Sequence, residues 1–497
     1  MSAVPEARRT KRPFDYCRVG RVLRALVVVT ACAGPTWGQT APDRTRPPAL
    51  GPTPQLDLPA IQKRALSNGL AVWLIESHEV PIAQINIVVR AGAGDDPAGK
   101  FGAASLTAAM LDEGAGSRSA LEIADAVEFL GANLTTTSSF DSSAVRLNVP
   151  VTRLGEALPL LADVILRPTF PAMELDRLRQ ERITALLQAR DDPGSIAQMA
   201  FARIVFGAMH RYGTGAIGTE ATLKTFSTDD LAAFHSAYYQ PANAVVVVVG
   251  DVTPDAVLPQ LEKHFGGWKA AADPPRRAPV PAATQLSRGQ IYIVDKPEAE
   301  QSQIRIGWVG VPRSTPDYFS LLVLNTVLGG SFTSRLNQNL REQHGYAYGA
   351  SSGFDMRLSP GPFVAAAGVQ SDKTPESLRE FDNELLKILE PVPADEITKA
   401  KNYIALGFPA EFESSADVSR RLEELIVYQL ADEYFERYIT NVQAVTAADV
   451  QRVAKTYIQP SRFAVVVVGD RKTIEPGIRA LNLGPVRVMS VDEALGL

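Results

Sequence analysis

The stretch YYQPANAVVVVVGD, residues 238–251, returns as YIQPSRFAVVVVGD at residues 457–470, an offset of 219 residues. In both places a Tyr-x-Gln-Pro segment precedes a run of valines, which is typical of a buried strand. Each copy also follows a Ser/Thr-x-x-Asp start of a helix, at residues 227–230 and 446–449. Two unrelated buried valine strands are the alternative, but the shared segment favours a duplication of about 220 residues.

The rest of the chain fits two α+β halves. Asn68-Gly69, between two apolar runs, predicts a hairpin with a type I′ turn, and residues 82–89 alternate as a strand. Residues 174–190 predict an amphipathic helix whose packed side chains are Leu175, Leu178, Ile183, Leu186 and Leu187. The expected fold class is α+β, with two homologous domains, each a largely antiparallel sheet packed with helices.

Proline-rich stretches set the expected domain boundaries. The second of them, DPPRRAPVPAATQ at residues 273–285, is typical of an interdomain linker. The predicted organisation is a leader at 1–38, a proline-rich tether at 39–59, a first domain at 60–268, a linker at 269–287 and a second domain at 288–490.

The N-terminus predicts export. The first 24 residues hold seven basic and two acidic side chains and are followed by the apolar run ALVVVTA at residues 25–31. A basic tail on a cytoplasmic protein is the alternative. The whole chain has 50 Lys and Arg against 55 Asp and Glu, so the part after these 24 residues has 43 against 53 and is acidic, which argues against a nucleic-acid partner.

Two processing sites compete at the end of the leader. Residues 29–32, VTAC, resemble a bacterial lipobox and make Cys32 a candidate for lipidation, whereas ordinary cleavage near residues 36–38 is the alternative. The expected location is periplasmic or exported, with membrane attachment only through the leader or a lipid on Cys32. The other cysteine, Cys17, also lies in the leader, so the folded body needs no disulfide.

Several motifs in order resemble the insulinase and pitrilysin type of zinc metallopeptidase, which includes the mitochondrial-processing-peptidase-like proteins, over residues 60–485. They are LSNGL at 66–70, DPAGKFG at 96–102, HRYG at 210–213, GTE at 218–220 and YQPANA at 239–244. Members of that family bind zinc through H-x-x-E-H on one helix and a glutamate on a later helix, with the first glutamate activating water.

In this sequence the metal-site positions of the resemblance are all replaced. They are Ser105, Ala108, Ala109 and Ala185. A methyl group has no lone pair and a neutral hydroxyl is a poor zinc ligand, so no metal is expected in this chain. A substitute ligand at Glu181 and a nucleophilic Ser105 are the less favoured interpretations, since no two histidines stand at ligand spacing and no G-x-S-x-G surrounds Ser105.

The second half retains GGSFTSRLNQNLREQHGYAYG, residues 329–349, which resembles the glycine-containing loop and Arg-x6-Tyr element of the family. The resemblance gives Arg341 and Tyr348 the role of holding the substrate backbone and stabilising the oxyanion, and it gives Gly329, Gly330 and Tyr346 a place beside the substrate. In bacterial relatives, one chain of a pair can carry H-x-x-E-H while the other chain carries the Arg and Tyr.

The sequence therefore predicts a non-catalytic, substrate-binding subunit of a heterodimeric zinc peptidase. Zinc is expected in a partner of the same family that carries H-x-x-E-H, and the substrate is expected to be a peptide, added as a strand to the sheet edge at residues 82–89. A non-proteolytic binding or assembly protein of the same fold is the alternative, and an enzyme with unrecognised chemistry is a third interpretation.

Overall fold

A computed structural model describes residues 51–52, 56–270, 277 and 280–496. The predicted leader at 1–38 with Cys32, most of the predicted tether and residues 271–276 and 278–279 of the predicted linker lie outside the described residues. The interpretations that depend on them remain predictions, as do the proposed domain boundaries. Among the described residues, no helix combines the length and the apolar character that a membrane span requires.

The first half is built on a six-stranded sheet in the order β1-β2-β8-β3-β7-β6, with a two-stranded ribbon of β4 and β5. Its strands are β1 Gln62–Ala65, β2 Ala71–Glu76, β3 Ile82–Val89, β4 Gly114–Ala115, β5 Arg118–Ser119, β6 Asn133–Ser138, β7 Ser143–Pro150 and β8 Ala244–Gly250. Its helices are α1 Ala103–Ala109, α2 Ala120–Phe129, α3 Leu154–Leu166, α4 Ala172–Ala189, α5 Pro193–Phe206, α6 Glu220–Leu223, α7 Thr228–Tyr238 and α8 Pro254–Phe265.

The second half contains another six-stranded sheet, in the order β11-β12-β10-β13-β9-β14. Its strands are β9 Gln290–Asp295, β10 Gln301–Val309, β11 Ala347–Phe354, β12 Pro362–Gln370, β13 Ala464–Gly469 and β14 Val486–Met489. Its helices are α9 Tyr318–Leu328, α10 Arg335–Asn337, α11 Thr374–Lys387, α12 Ala394–Gly407, α13 Ser415–Tyr428, α14 Tyr438–Ala444, α15 Ala447–Tyr457, α16 Arg471–Ala480 and α17 Val491–Leu495.

The two sheets confirm the duplication. The repeated valine strands β8 and β13 occupy equivalent inner positions, each parallel to one neighbour, β2 or β9, and antiparallel to the other, β3 or β10. All seven residues of β8 are buried, as a continuous apolar run predicts. The predicted helix starts are also present, because Ser227 and Thr446 both form capping boxes with the aspartate three residues later. The mixed α+β fold class is confirmed.

The two halves exchange equivalent helices. Helix α5 of the first half packs on β10 and β13 of the second sheet, where Ile196 and Phe201 belong to the same buried apolar cluster as the valines of β13. Helix α13, which stands at the matching place in the repeat, packs on β3 and β8 of the first sheet. The described residues from 56 to 496 consequently belong to one compact unit.

Two local predictions need correction. The hairpin between β1 and β2 exists, but only Gly69 has a positive φ, of 83°, while Asn68 is not among the positive-φ residues. The loop is therefore not a type I′ turn; Asn68 instead donates its amide to the carbonyls of Phe265 and Trp268. In α4, Leu187 is 43% exposed rather than packed, whereas Leu175 and Ile183 are buried as predicted.

Candidate functional site

The degenerate metal positions of the first half come from helices α1 and α4. Ser105 and Ala109 lie one turn apart on α1 and are both half-buried, while Ala108 is buried in the core. Ala185 is exposed on α4. One Nη of Arg182 donates to the backbone carbonyl of Ser105 at 2.9 Å, so α4 lies against α1 at this point.

Arg182 places a positive charge beside these positions. Its other Nη is buried without a hydrogen-bond partner within the described part of the chain. Burial lowers the pKa of Arg182 to about 10, and Glu181 offsets only part of this shift. The sequence argument did not identify Arg182, although it stands three residues before Ala185 and so on a neighbouring part of the same helix surface.

A buried ion pair fixes the start of α1. Asp96 accepts hydrogen bonds from the backbone N–H groups of Gly102 and Ala104, at 2.7 and 2.8 Å, and pairs with Arg211 at 2.8 Å. Burial raises the pKa of Asp96 to about 6 although Arg211 lowers it. The motifs at 96–102 and 210–213 are thus in contact, and together they orient the degenerate metal helix.

Arg341 and Tyr348 come together in the second half. The guanidinium carbon of Arg341 lies 5.2 Å from the centre of the Tyr348 ring and 4.4 Å from that of Phe332. Tyr348 is 89% exposed and Phe332 is 62% exposed. The three side chains form an accessible aromatic and cationic cluster, which we call the Arg/Tyr cluster.

Irregular backbone on both sides presents this cluster. Arg341 lies in a π-helical turn, Gln338–Gln343, that continues α10, and such turns are frequent at functional sites. Tyr348 lies in a β-bulge, because Ala347 and Ala350 of β11 pair with Val369 and Ala367 of β12, which leaves one extra residue in β11. A bulge bends its strand and redirects the side chain next to it.

Asn337 joins these two irregular segments. Its Nδ2 donates to the carbonyl of Phe332 at 2.6 Å and its Oδ1 accepts from the N–H of Ala350 at 3.0 Å. The side chain is buried, so both bonds are shielded from water. Asn337 therefore sets the position of Phe332 relative to Tyr348; the sequence argument did not single it out.

The other second-half residues of the site lie around the cluster. A Cβ on Gly329 would clash with the backbone nitrogen of Ser352, so this position needs glycine, and a Cβ on Gly330 would be 2.7 Å from the side-chain nitrogen of Asn325. Tyr346 is half-buried and stacks on His344 with ring centres 4.9 Å apart. The roles in substrate binding remain predictions.

The predicted peptide-binding edge is wrong. Strand β3 is paired along both sides, with β7 and β8, so no additional strand can join it. The free outer edge of the first sheet beside α1 is β6, which pairs only with β7 in the described part of the chain.

Two family descriptions match the sequence. Residues 71–205 match the family described as insulinase (peptidase family M16), and residues 225–404 match the description peptidase M16 inactive domain. The first range contains the degenerate metal helices and the second contains the Arg/Tyr cluster.

Relatives and solved structures agree with these matches. An uncharacterized zinc protease of Mycobacterium leprae is 28% identical over 69% of this chain and 76% of its own length, and one of Mycobacterium tuberculosis is 26% identical over 85% and 97%. A crystal structure of a peptidase M16 inactive domain from Pseudomonas fluorescens has a TM-score of 0.76 at 25% identity, covering 82% of this chain and 98% of that one. A protease from Helicobacter pylori has a TM-score of 0.75 at 22% identity, covering 83% and 100%.

Proposed function

The chain belongs to the insulinase (M16) peptidase family, and we propose that it is the non-catalytic, substrate-binding subunit of an exported heterodimeric zinc peptidase. The partner would be a family member that carries H-x-x-E-H and binds the zinc. This chain would supply Arg341 and Tyr348 across the interface.

The convergence of Arg341 and Tyr348 on an exposed surface carries this proposal. A tyrosine that served only to pack would be covered, whereas Tyr348 is 89% exposed on a bulge and lies beside a guanidinium. The chain's own α1 offers only Ser105, Ala108 and Ala109 at the metal positions, so a metal centre for the cluster to serve would have to lie in another chain.

The chemistry follows from the groups themselves. A planar guanidinium and a phenol are donors that can be directed at the negative charge that develops on a peptide carbonyl during attack by water. Zinc in the partner would activate that water. Stacking against Phe332 and Tyr348 restricts Arg341 before the substrate arrives, which reduces the entropy lost on binding.

The substrate would lie as an added strand on the free edge of β6. That edge runs beside α1, and its residues Asn133–Ser138 alternate between exposed and half-buried. Unpaired backbone groups of an edge strand can hydrogen-bond an extended peptide.

The basic and apolar leader supports export to the periplasm, and Cys32 remains the candidate for a lipid anchor. Mass spectrometry of the N-terminal peptide of the chain expressed in a bacterial host distinguishes a lipidated Cys32 from cleavage near residues 36–38.

Co-expression with an H-x-x-E-H paralogue tests the proposal. We expect the chains to co-purify and to cut an unstructured peptide library only when both are present. If the paralogue cuts equally well alone, or the two chains do not associate, the subunit proposal fails and the non-proteolytic binding or assembly protein replaces it.

A further inference from the structure

We infer that a polar cavity in the second half binds a free α-amino acid, with Glu384 holding its ammonium group and Arg335 its carboxylate. The cavity has a volume of about 680 Å³, within the range of small-molecule sites. It lies between α11, α12 and the segment formed by α10 and the π-helical turn. Binding there would need neither a partner chain nor a peptide substrate, so the inference goes beyond the proposed function.

Two buried acceptors in the cavity lining lack a hydrogen bond. Glu384 is 5% exposed and Asn339 is 7% exposed, and Nδ2 of Asn339 donates to Oε1 of Glu384 and to Glu380, both at 3.0 Å. Oε2 of Glu384 and Oδ1 of Asn339 have no partner among the described residues. Lys387 pairs with Glu384 only at 3.9 Å, and its side chain is 64% exposed. Because an unsatisfied buried carboxylate oxygen is costly, this part of the cavity suits a positively charged donor.

A buried donor in the same lining is also unpartnered. Nε and Nη2 of Arg335 donate to Glu396 at 2.7 and 3.2 Å, whereas Nη1 has no partner in the described part of the chain. Arg335 stands four residues before Asn339, one helical turn away, and Asn339 is bonded to Glu384. The unpartnered donor and the two unpartnered acceptors therefore belong to neighbouring side chains.

An α-amino acid matches this set of groups. Its ammonium group can donate to Glu384 and Asn339, and its carboxylate can accept a charge-assisted hydrogen bond from Arg335. Since both groups are bonded to one carbon, they can reach neighbouring side chains. Four glutamates and three lysine and arginine side chains line the cavity, so a zwitterion leaves the balance of charge unchanged. A simple amine would leave Arg335 unsatisfied, and a simple acid would leave Glu384 unsatisfied.

The bound amino acid would lie against the turn that carries Arg341. Gln338, Asn339 and Gln343 of the π-helical turn line the cavity, and Arg341 belongs to the same turn. Binding should therefore slow backbone hydrogen exchange in residues 338–343 and in the part of α11 around Glu384.

Isothermal titration calorimetry with the full mature chain tests the inference. A thermal-shift screen of the common L-amino acids first selects the probe, and we expect at least one of them to raise the unfolding temperature. The amide of that amino acid lacks the carboxylate and its N-acetyl derivative lacks the ammonium group, so each should bind about tenfold more weakly or worse. These comparisons use the unchanged chain, and hydrogen exchange on the same complex locates the site.

Glu384→Gln keeps the shape of the side chain without its charge and should weaken binding of the selected amino acid by about tenfold or more. Glu300→Gln is the matched control, since Glu300 is exposed just before β10 and does not line the cavity. It should leave the affinity unchanged, and thermal unfolding without ligand should show that both variants fold.

Three results would each overturn the inference: no binding of any amino acid, equal binding of the amide or the N-acetyl derivative, and slowed exchange only outside the cavity. An affinity that survives Glu384→Gln would overturn it as well. The proposed function is tested separately, by the partner-dependent activity of Arg341 and Tyr348 variants.

Discussion

Replacing Asn337 by alanine should destabilise the protein and disorganise the Arg/Tyr cluster. Asn337 is 3% exposed, and its removal leaves the N–H of Ala350, itself 7% exposed, without an acceptor. An orphaned buried donor costs about 1–3 kcal/mol, and the loss of the bond to the carbonyl of Phe332, an exposed residue, adds about 0.5–1 kcal/mol. The expected loss in the free energy of unfolding is therefore about 1.5–4 kcal/mol.

Urea denaturation followed by circular dichroism measures this loss. Asn383→Ala, at an exposed site on α11, is the matched control and should change stability by less than about 0.5 kcal/mol. An unchanged stability of Asn337→Ala would refute the assignment of Asn337 as the link between α10 and the bulge.

Three further outcomes follow from the geometry. Glu423→Ala removes the side chain of α13 that binds Arg146 at 2.8 Å and Asn86 at 2.6 Å, and it should lower the free energy of unfolding in urea by about 2 kcal/mol. The control Glu156→Ala, which removes one partner of an exposed ion pair with Arg153, should lower it by less than about 0.5 kcal/mol. Equal losses would contradict the helix exchange as a source of stability. Burial lowers the pKa of His235 below its ordinary 6.5, so the unfolded state binds more protons in acid and the free energy of unfolding should fall as the pH drops below about 6.5. His235→Gln should show a smaller fall in the free energy of unfolding between pH 7.5 and 5.5. An identical fall would exclude His235 as a cause. The third test restores the family's zinc ligands and catalytic glutamate on α1 and α4, with and without the additional substitution Arg182→Met. Calorimetry should show at least tenfold tighter zinc binding for the protein with Arg182→Met. Equal affinities of the two proteins would show that the Arg182 charge does not oppose a metal there.

Much of the fold could be predicted because the repeated segments of the sequence form buried strands. The valine runs of β8 and β13 have one stable place, the interior of a sheet, and their shared segment with its capped helix identifies equivalent halves. The helix exchange could not be predicted, since the apolar face of α5 or α13 shows that it packs on a sheet but not on which of two similar sheets.

The edge predicted at β3 is wrong because β7 and β8, which are distant in the sequence, pair with both of its sides. The polar residues Gln84 and Asn86 of β3 are nevertheless buried, and Asn86 donates to Ser419 and Glu423 of α13. A polar residue that is buried with partners has the same sequence pattern as an exposed one, so only the tertiary structure separates them.

In the candidate site, too, some residues could be predicted from the sequence and others could not. Arg341 and Tyr348 could be identified because a family motif marks them, and the structure brings them together. Arg182 and Asn337 could not, because their importance comes from contacts with residues that are distant in the sequence or in another element: Ser105 and Ala350.

The most direct test of the central claim is the kcat/KM for peptide cleavage by the reconstituted pair of this chain and an H-x-x-E-H paralogue. Arg341→Ala and Tyr348→Phe in this chain should each lower kcat/KM at least tenfold, whereas the exposed controls Arg379→Ala and Tyr403→Phe should leave it unchanged. Full activity in both cluster variants would contradict the claim that this chain completes its partner's active site.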